Sequence, residues 1–174
     1  INDPQLFLDA FTHSSYSNEK KCNDYEKIEF IGDGVLDLII ADLTYHAYPS
    51  LRQGELTKMR SSLVCSASLA NYARKYHFEK AIRIGQGELH AGGPNQKILE
   101  DVFEAFIGAV YLDQGFEFVK KLIINIFEDD IKNFNFDNLT DYKSKLQEDL
   151  QSNHRGNIVY HVISEKGTAQ DKMF

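Results

Sequence analysis

Carboxylates set inside apolar helical sequence constrain this chain more than any other feature. Glu29 and Asp33 lie in EKIEFIGDGVLDLIIADL, and Asp101 and Glu104 lie in ILEDVFEAFIGAVYLD. An ionised carboxylate withdrawn from water costs several kcal/mol unless something positive meets it. Spacings of four and three put each pair on a single helical face. An isolated acidic pair of this kind is far more often a solvated face than a ligand set. Two such faces brought together are different: they form a nest of four carboxylates to which the sequence assigns no Arg or Lys. The natural counter-charge is then a divalent metal, and an all-oxygen nest suits Mg2+, with Mn2+ as a substitute. Metal-assisted hydrolysis, most naturally of a phosphodiester, is the expected chemistry. Glu26, three residues before Glu29, is an outer candidate for the same site, whereas Asp37 and Asp42 read as the polar edge of the helix.

Around these acids the chain reads as helix after helix from about residue 5 to 130, with apolar residues spaced by three and four and almost no strand-like alternation. Asn23 or Asp24 is a plausible cap for the first acidic helix, and Pro49 and Gly54 mark the turn after it. LTKMRSSLVCSASLANYARKYHF predicts one long helix and IRIGQGELHAGGPN a connecting loop. That loop lacks the Lys-Ser/Thr ending of a phosphate-binding P-loop, so no nucleotide cofactor is expected. Gly32, Gly34 and Gly108 cost helix stability unless close packing needs them. Gly108, four residues beyond Glu104, would let the two acidic helices approach. His13 beside Ser14 and Ser15 has no supporting carboxylate or strained elbow to make a nucleophile.

NFNFDN, residues 133–138, is a polar break, after which the pattern changes. Tyr142, Leu146 and Leu150 recur every four residues, and NIVYHVISEKG alternates as a strand ending in a turn glycine. Residues 141–174 carry five basic and five acidic residues, so the whole net charge of -7 belongs to residues 1–140. An acidic block is awkward for a nucleic-acid protein, but one that recruits metal can bind RNA through that metal and through a separate module. Cys22 and Cys65 are too few for a disulfide framework and have no zinc-ligand spacing. No stretch approaches twenty uncharged apolar residues and the N-terminus lacks signal-peptide order, so a cytoplasmic protein with no membrane partner is expected.

The acidic blocks resemble those of the ribonuclease III family, the double-stranded-RNA endonucleases. EKIEFIGDGVLDLIIADL is similar to that family's E-R-L-E-F-L-G-D signature, and ILEDVFEAFIGAVYLDQG to its second acidic motif, L-A-D-x-F-E-A-L-I-G-A-x-Y-L-D. AFTHSSY (Ala10 to Tyr16) and GELTKMRSSLV (Gly54 to Val64) look like further family blocks in the right order. The resemblance implies a mainly α protein: an all-helical catalytic domain over 1–132, a linker over 133–139, and over 140–174 the first part of an α+β double-stranded-RNA-binding domain. It implies that Glu29, Asp33, Asp101 and Glu104 are the metal-binding catalytic acids and that Glu26 is a secondary acid. It further implies a homodimer, with one site for each strand, leaving 5′-phosphate and 3′-hydroxyl ends with short 3′ overhangs during RNA processing.

Phe30 resembles a family aromatic that plugs into the partner subunit, although an ordinary core Phe gives the same pattern. Ser144, Gln147, Glu148 and Gln151 occupy positions that resemble groove-contacting residues of such RNA-binding domains, and Gln170 lies in what resembles a family loop that commonly carries His. Any exposed helix would also give those polar residues. Gln53 stands where the family usually has an acid, and a neutral amide cannot replace a carboxylate as an anionic ligand. Lys58 and Arg60 could meet phosphate or simply be solvated. A non-catalytic RNA-binding or ribosome-associated homologue is the alternative, for which lost acids would be the mark. A helical hydrolase of small phosphate esters is a third reading, opposed by AFTHSSY and the RNA-domain pattern.

Overall fold

A computed structural model describes residues 2–136; the RNA-binding positions Ser144, Gln147, Glu148, Gln151 and Gln170 lie outside the described residues. Residues 1–134 form one compact unit. Its helices are α1 (Pro4–Ala10), α2 (Ser14–Lys20), α3 (Glu26–Ala47), α4 (Gln53–Leu63), α5 (Ser66–Lys75), α6 (Gln86–His90), α7 (Gln96–Gln114) and α8 (Phe116–Lys132), with a 3-10 turn at Phe78–Lys80. The described part is therefore all-helical, its one extended pairing being a single parallel bridge between Thr12 and Arg83.

Two long helices, α3 and α7, form the centre, with α5 and α8 laid against them. Leu36, Ile39 and Ile40 of α3 are buried, as are Phe103 and Ile107 of α7 and Ile123 and Phe127 of α8. Beside them, Ala10, Tyr25, Ile28, Ile98, Val102, Ala105 and Ala109 form a second cluster that Phe7, Phe11 and Phe78 cover. The ring of Phe78 meets those of Phe11 and Phe106 edge-on, each at 5.1 Å, a favoured aromatic geometry.

Helix ends follow local chemistry. Asp3 Oδ1 accepts from the Gln5 and Leu6 N–H groups with Pro4 at the first helical position, and Asn95 Oδ1 accepts from Ile98 N–H at the start of α7. Asp24, expected as a cap, accepts from Glu26 N–H and from the Ser17 hydroxyl, although the residue flanking α3 is Tyr25. The long helix expected over 56–78 is broken. Val64 leaves helical geometry, Cys65 is extended, and the halves become α4 and α5. Periodicity is unchanged across the break, but α4 packs on α3 and α8 while α5 packs on α7. The loop expected over 82–95 contains the short helix α6, closed by Gly92 and Gly93 at positive φ. It is tied to α2 through Gly85 N–H, which donates to Ser15 Oγ at 2.9 Å.

The decisive packing detail is where α3 crosses α7. A Cβ on Gly32 would stand 1.9 Å from the Glu104 carbonyl oxygen, and one on Gly108 would stand 2.3 Å from the Ile28 carbonyl oxygen. Backbone meets backbone here, so neither position has room for a methyl group. Gly34 has open space around its Cβ position and fills no packing need. Gly32→Ala should therefore destabilise the fold by ~3 kcal/mol or more, whereas Gly34→Ala should be neutral or stabilise it by up to ~1 kcal/mol. Denaturant melts of the two variants beside the parent check the pair; equal stability of both would contradict this account of the crossing.

Candidate metal centre

Because the crossing at Gly32 and Gly108 removes side chains from between the helices, the acids of α3 and α7 converge. Carboxylate oxygens of Glu29, Asp101 and Glu104 all lie within 4.8 Å of one another. Asp101 and Glu104 are each 8% exposed, and Glu29 is intermediate. Asp33, the fourth expected member, is exposed and stands outside this trio. It still acts on it, since its charge is the foremost electrostatic contribution raising Glu104. Glu26 is exposed on the outer turn and adds its field to Glu29.

The trio carries the electrostatic signature of crowded, poorly hydrated carboxylates. Burial, then the charge of Asp101, pushes Glu29 up to about 7. Burial, then Asp33, pushes Glu104 up to about 8. Both shifts follow from desolvation and like-charge repulsion acting in the same direction.

Three participants were not identified from sequence. Glu100, with a side chain only 16% exposed, sits four residues before Glu104, and its charge raises both Glu29 and Glu104. Tyr25 is buried, and its hydroxyl donates to Asp101 Oδ2 at 3.4 Å; burial and the neighbouring Asp101 charge hold the phenol far above its ordinary range. Lys97 Nζ lies 2.7 Å from Asp101 Oδ1 and 3.4 Å from Glu100 Oε2. The expectation that no cation attends the acids is thus corrected: Lys97 is one turn before Asp101 on the same face. Its contact with Oδ1 is close in distance but off the direction of a hydrogen bond, leaving that buried oxygen without one. The signal was present, because i and i+4 neighbours share a helical face, and Glu100 replaces the Ala of the motif L-A-D.

Other sequence candidates fall elsewhere. Phe30 is 80% exposed, so it is not a core residue. His13 caps the start of α2, its Nδ1 accepting from the Ser15 N–H. Asp37 pairs with Arg60 at 3.3 Å and Asp42 with Lys120 at 2.6 Å, which accounts for those charges on the rim of the fold. Gln53 is exposed at the first turn of α4, its amide donating to Thr57 Oγ1. Cys22 and Cys65 are exposed free thiols, and no described helix is long and apolar enough to cross a membrane.

A Ribonuclease-III-like family model matches residues 3–130. The chain belongs to the ribonuclease III family. Its full length aligns at 43% identity with Ribonuclease 3 of Bacillus cereus (strain G9842), covering 73% of that protein. It aligns at 45% with Ribonuclease 3 of Streptococcus gordonii, covering 77%. Among solved structures, the nuclease domain of ribonuclease III from Campylobacter jejuni superposes with a TM-score of 0.70 at 35% identity, over 74% of this chain and 89% of that one. Dicer from Pichia stipitis superposes with a TM-score of 0.61 at 29% identity, over 77% of this chain and 58% of that one. Ribonuclease III membership makes the chain an endoribonuclease, and the acidic crossing of α3 and α7 lies inside the matched segment.

Burial of the acids has a consequence for stability. In the metal-free chain Glu29 and Glu104 keep their protons to higher pH than in the unfolded state, where such groups titrate near 4.5. The folded state then binds more protons between about pH 4.5 and about pH 8, so these groups make stability fall as pH rises through that window. With chelator present, the melting temperature of the parent relative to Glu104→Gln should decline across this range. A difference that is flat or rises with pH would contradict the shifted acidities.

Proposed function

We propose that this endoribonuclease hydrolyses double-stranded RNA at the α3–α7 crossing using Mg2+, held by Glu29, Asp101 and Glu104 with Asp33 at the rim. The observation that carries the reading is the convergence of three carboxylates within 4.8 Å in a largely buried pocket. The donor set fits the ion: it is all oxygen, its Asp101 Oδ1 is buried with no hydrogen bond and only the Lys97 ammonium beside it, and burial followed by the charge of neighbouring carboxylates raises both Glu29 and Glu104. When bound, Mg2+ or Mn2+ would supply Lewis-acid stabilisation of the departing 3′ oxygen and activation of water. The protein's own part is placement. α7 presents Asp101 and Glu104 from one face, α3 presents Glu29 opposite them, and the glycine crossing fixes the gap. Tyr25 holds the carboxylate of Asp101 in orientation. Exposed Asp33 and Glu26 line the approach, where secondary contacts to ion-bound water or substrate belong. Products with 5′-phosphate and 3′-hydroxyl ends follow from this mode of cleavage.

The active form is a homodimer assembled on α3, which places one site on each strand of the duplex and so leaves staggered ends. Phe30, Leu38 and Tyr45 are 80%, 60% and 65% exposed on one side of that helix, an apolar run that a solvated monomer would not favour. Next to Tyr45 opens a cavity of about 560 Å3 bordered by Ala41, Leu51, Gln53 and Leu56, with room for a partner's side chain. The Campylobacter jejuni structure is described as having flexibility in a region involved in dimer formation of its nuclease domain. A cytoplasmic setting and a role in RNA processing complete the proposal, with residues 140–174 as part of an RNA-binding module. The non-catalytic alternative would lead one to expect lost acids, and all of them are present.

Glu104→Gln keeps the side-chain shape and removes an anion. The variant should fold at least as well as the parent without metal, gain less melting temperature from added Mg2+, still shift duplex RNA on a gel, and lose cleavage by about a hundredfold or more. Incubation with a long RNA duplex, with and without Mg2+, followed by analysis of the ends, tests the activity. Parent-like cleavage with parent-like Mg2+ dependence would show the carboxylate site to be misassigned. For the dimer, Phe30→Asp should shift sedimentation towards monomer at micromolar concentrations and reduce paired cutting. A parent that sediments as a monomer at all concentrations and still makes paired cuts would remove the dimer from the mechanism.

A further inference from the structure

Lys97 is placed against the usual preference of a helix. It is the second residue of α7, where the unsatisfied N–H groups and the macrodipole favour negative charge. What compensates is the acidic cluster one turn on: Lys97 Nζ lies 2.7 Å from Asp101 Oδ1 and 3.4 Å from Glu100 Oε2. Asp101 is thereby engaged on both oxygens, by an ammonium at Oδ1 and by the Tyr25 hydroxyl at Oδ2. Only the first of these neutralises charge. Although burial pulls Lys97 down, the Asp101 contact outweighs it and holds the ammonium above the ordinary lysine range; the same charge lowers both Glu29 and Glu104.

We propose that Lys97 is a built-in competitor of the divalent metal: its ammonium neutralises the cluster in the metal-free chain and must leave Asp101 for the ion to bind, so that Lys97 sets the metal affinity. This rests on the metal reading of the site given above. An ion held by Asp101, with the ammonium still 2.7 Å from Oδ1 of that carboxylate, would set a dication and a monocation side by side on one group. They repel strongly at that range in a partly desolvated pocket. The two partners differ in freedom to move. The Asp101 side chain is 11% exposed and fixed on α7, whereas the Lys97 side chain is 65% exposed on a flexible stem. Lys97 therefore yields, swinging towards Glu100 and water while the carboxylate stays. Glu100, with its side chain 16% exposed, keeps the displaced ammonium near the site.

The test is direct binding of Mn2+ to the full chain without RNA, followed by the electron paramagnetic resonance signal of free Mn2+. Lys97→Met keeps the length of the stem and removes the charge. It should bind Mn2+ at least about tenfold more tightly than the parent and, in chelator, melt at lower temperature. Lys97→Arg, which keeps the charge, should bind no more tightly than the parent. Loss of a merely structural contact would weaken binding, so a gain in affinity separates the two. Glu104→Gln should bind Mn2+ weakly, which tests the metal reading by itself. If the parent binds Mn2+ through Glu104 and folded Lys97→Met binds it no more tightly, the proposal about Lys97 is overturned while the site stands. If neither parent nor Lys97→Met takes up Mn2+, both readings fall.

Discussion

Where α3 passes α7, two helix backbones touch with nothing but glycine between them, and the acidic centre depends on that contact. Gly32 faces the carbonyl of Glu104, and Gly108 faces the carbonyl of Ile28. Any side chain at either position would spread the helices, since interiors pack too densely to absorb a methyl group against a backbone oxygen. The spacing of the helices fixes the spacing of the carboxylates they carry. A steric rule at two glycines thus becomes an electrostatic condition at Glu29, Asp101 and Glu104.

That condition is unfavourable in isolation. Carboxylates brought together out of water repel one another and lose hydration, and Glu29 and Glu104 respond by holding protons into the neutral range. The surrounding fold supplies the stability that tolerates this. Phe103 and Phe127 are fully buried, Phe103 stacking on Tyr72 and Phe127 tilted against the same ring, while Phe78 stacks on Phe103 and meets Phe106 edge-on. Local relief comes from Lys97 and Tyr25 at Asp101. A site able to accept a dication is the mirror of this arrangement, because the negative potential that makes the clustered acids unfavourable is the potential that would attract an ion.

Phe30 and Phe103 show how far a sequence reads and where it stops. Both sit beside an acid in an apolar helical run, yet Phe103 is fully buried and Phe30 is 80% exposed. Helical periodicity tells which residues share a face; it does not tell which face meets the core, because that depends on what packs against the helix. Resemblance to family motifs offers a place for an exposed Phe30, as the subunit contact proposed above, where pattern alone offers none. The break at Val64 and Cys65 is a similar case, invisible in the period and set by two helices needing different partners.

The sequence by itself determined a helical protein, a glycine at 108 on the acidic face of its helix, the pairing of acids along each of two helices, and the family. Each of these follows from short-range spacing or from ordered motif blocks, which are properties of the chain. Only the tertiary structure decided that Asp33 stands apart from the close trio, that Glu100 and Tyr25 belong to its surroundings, and that Lys97 reaches Asp101. Those outcomes turn on differences of a few ångström in how α3 lies across α7 and on which side chains find water there. Long-range packing sets both, and no local spacing encodes them.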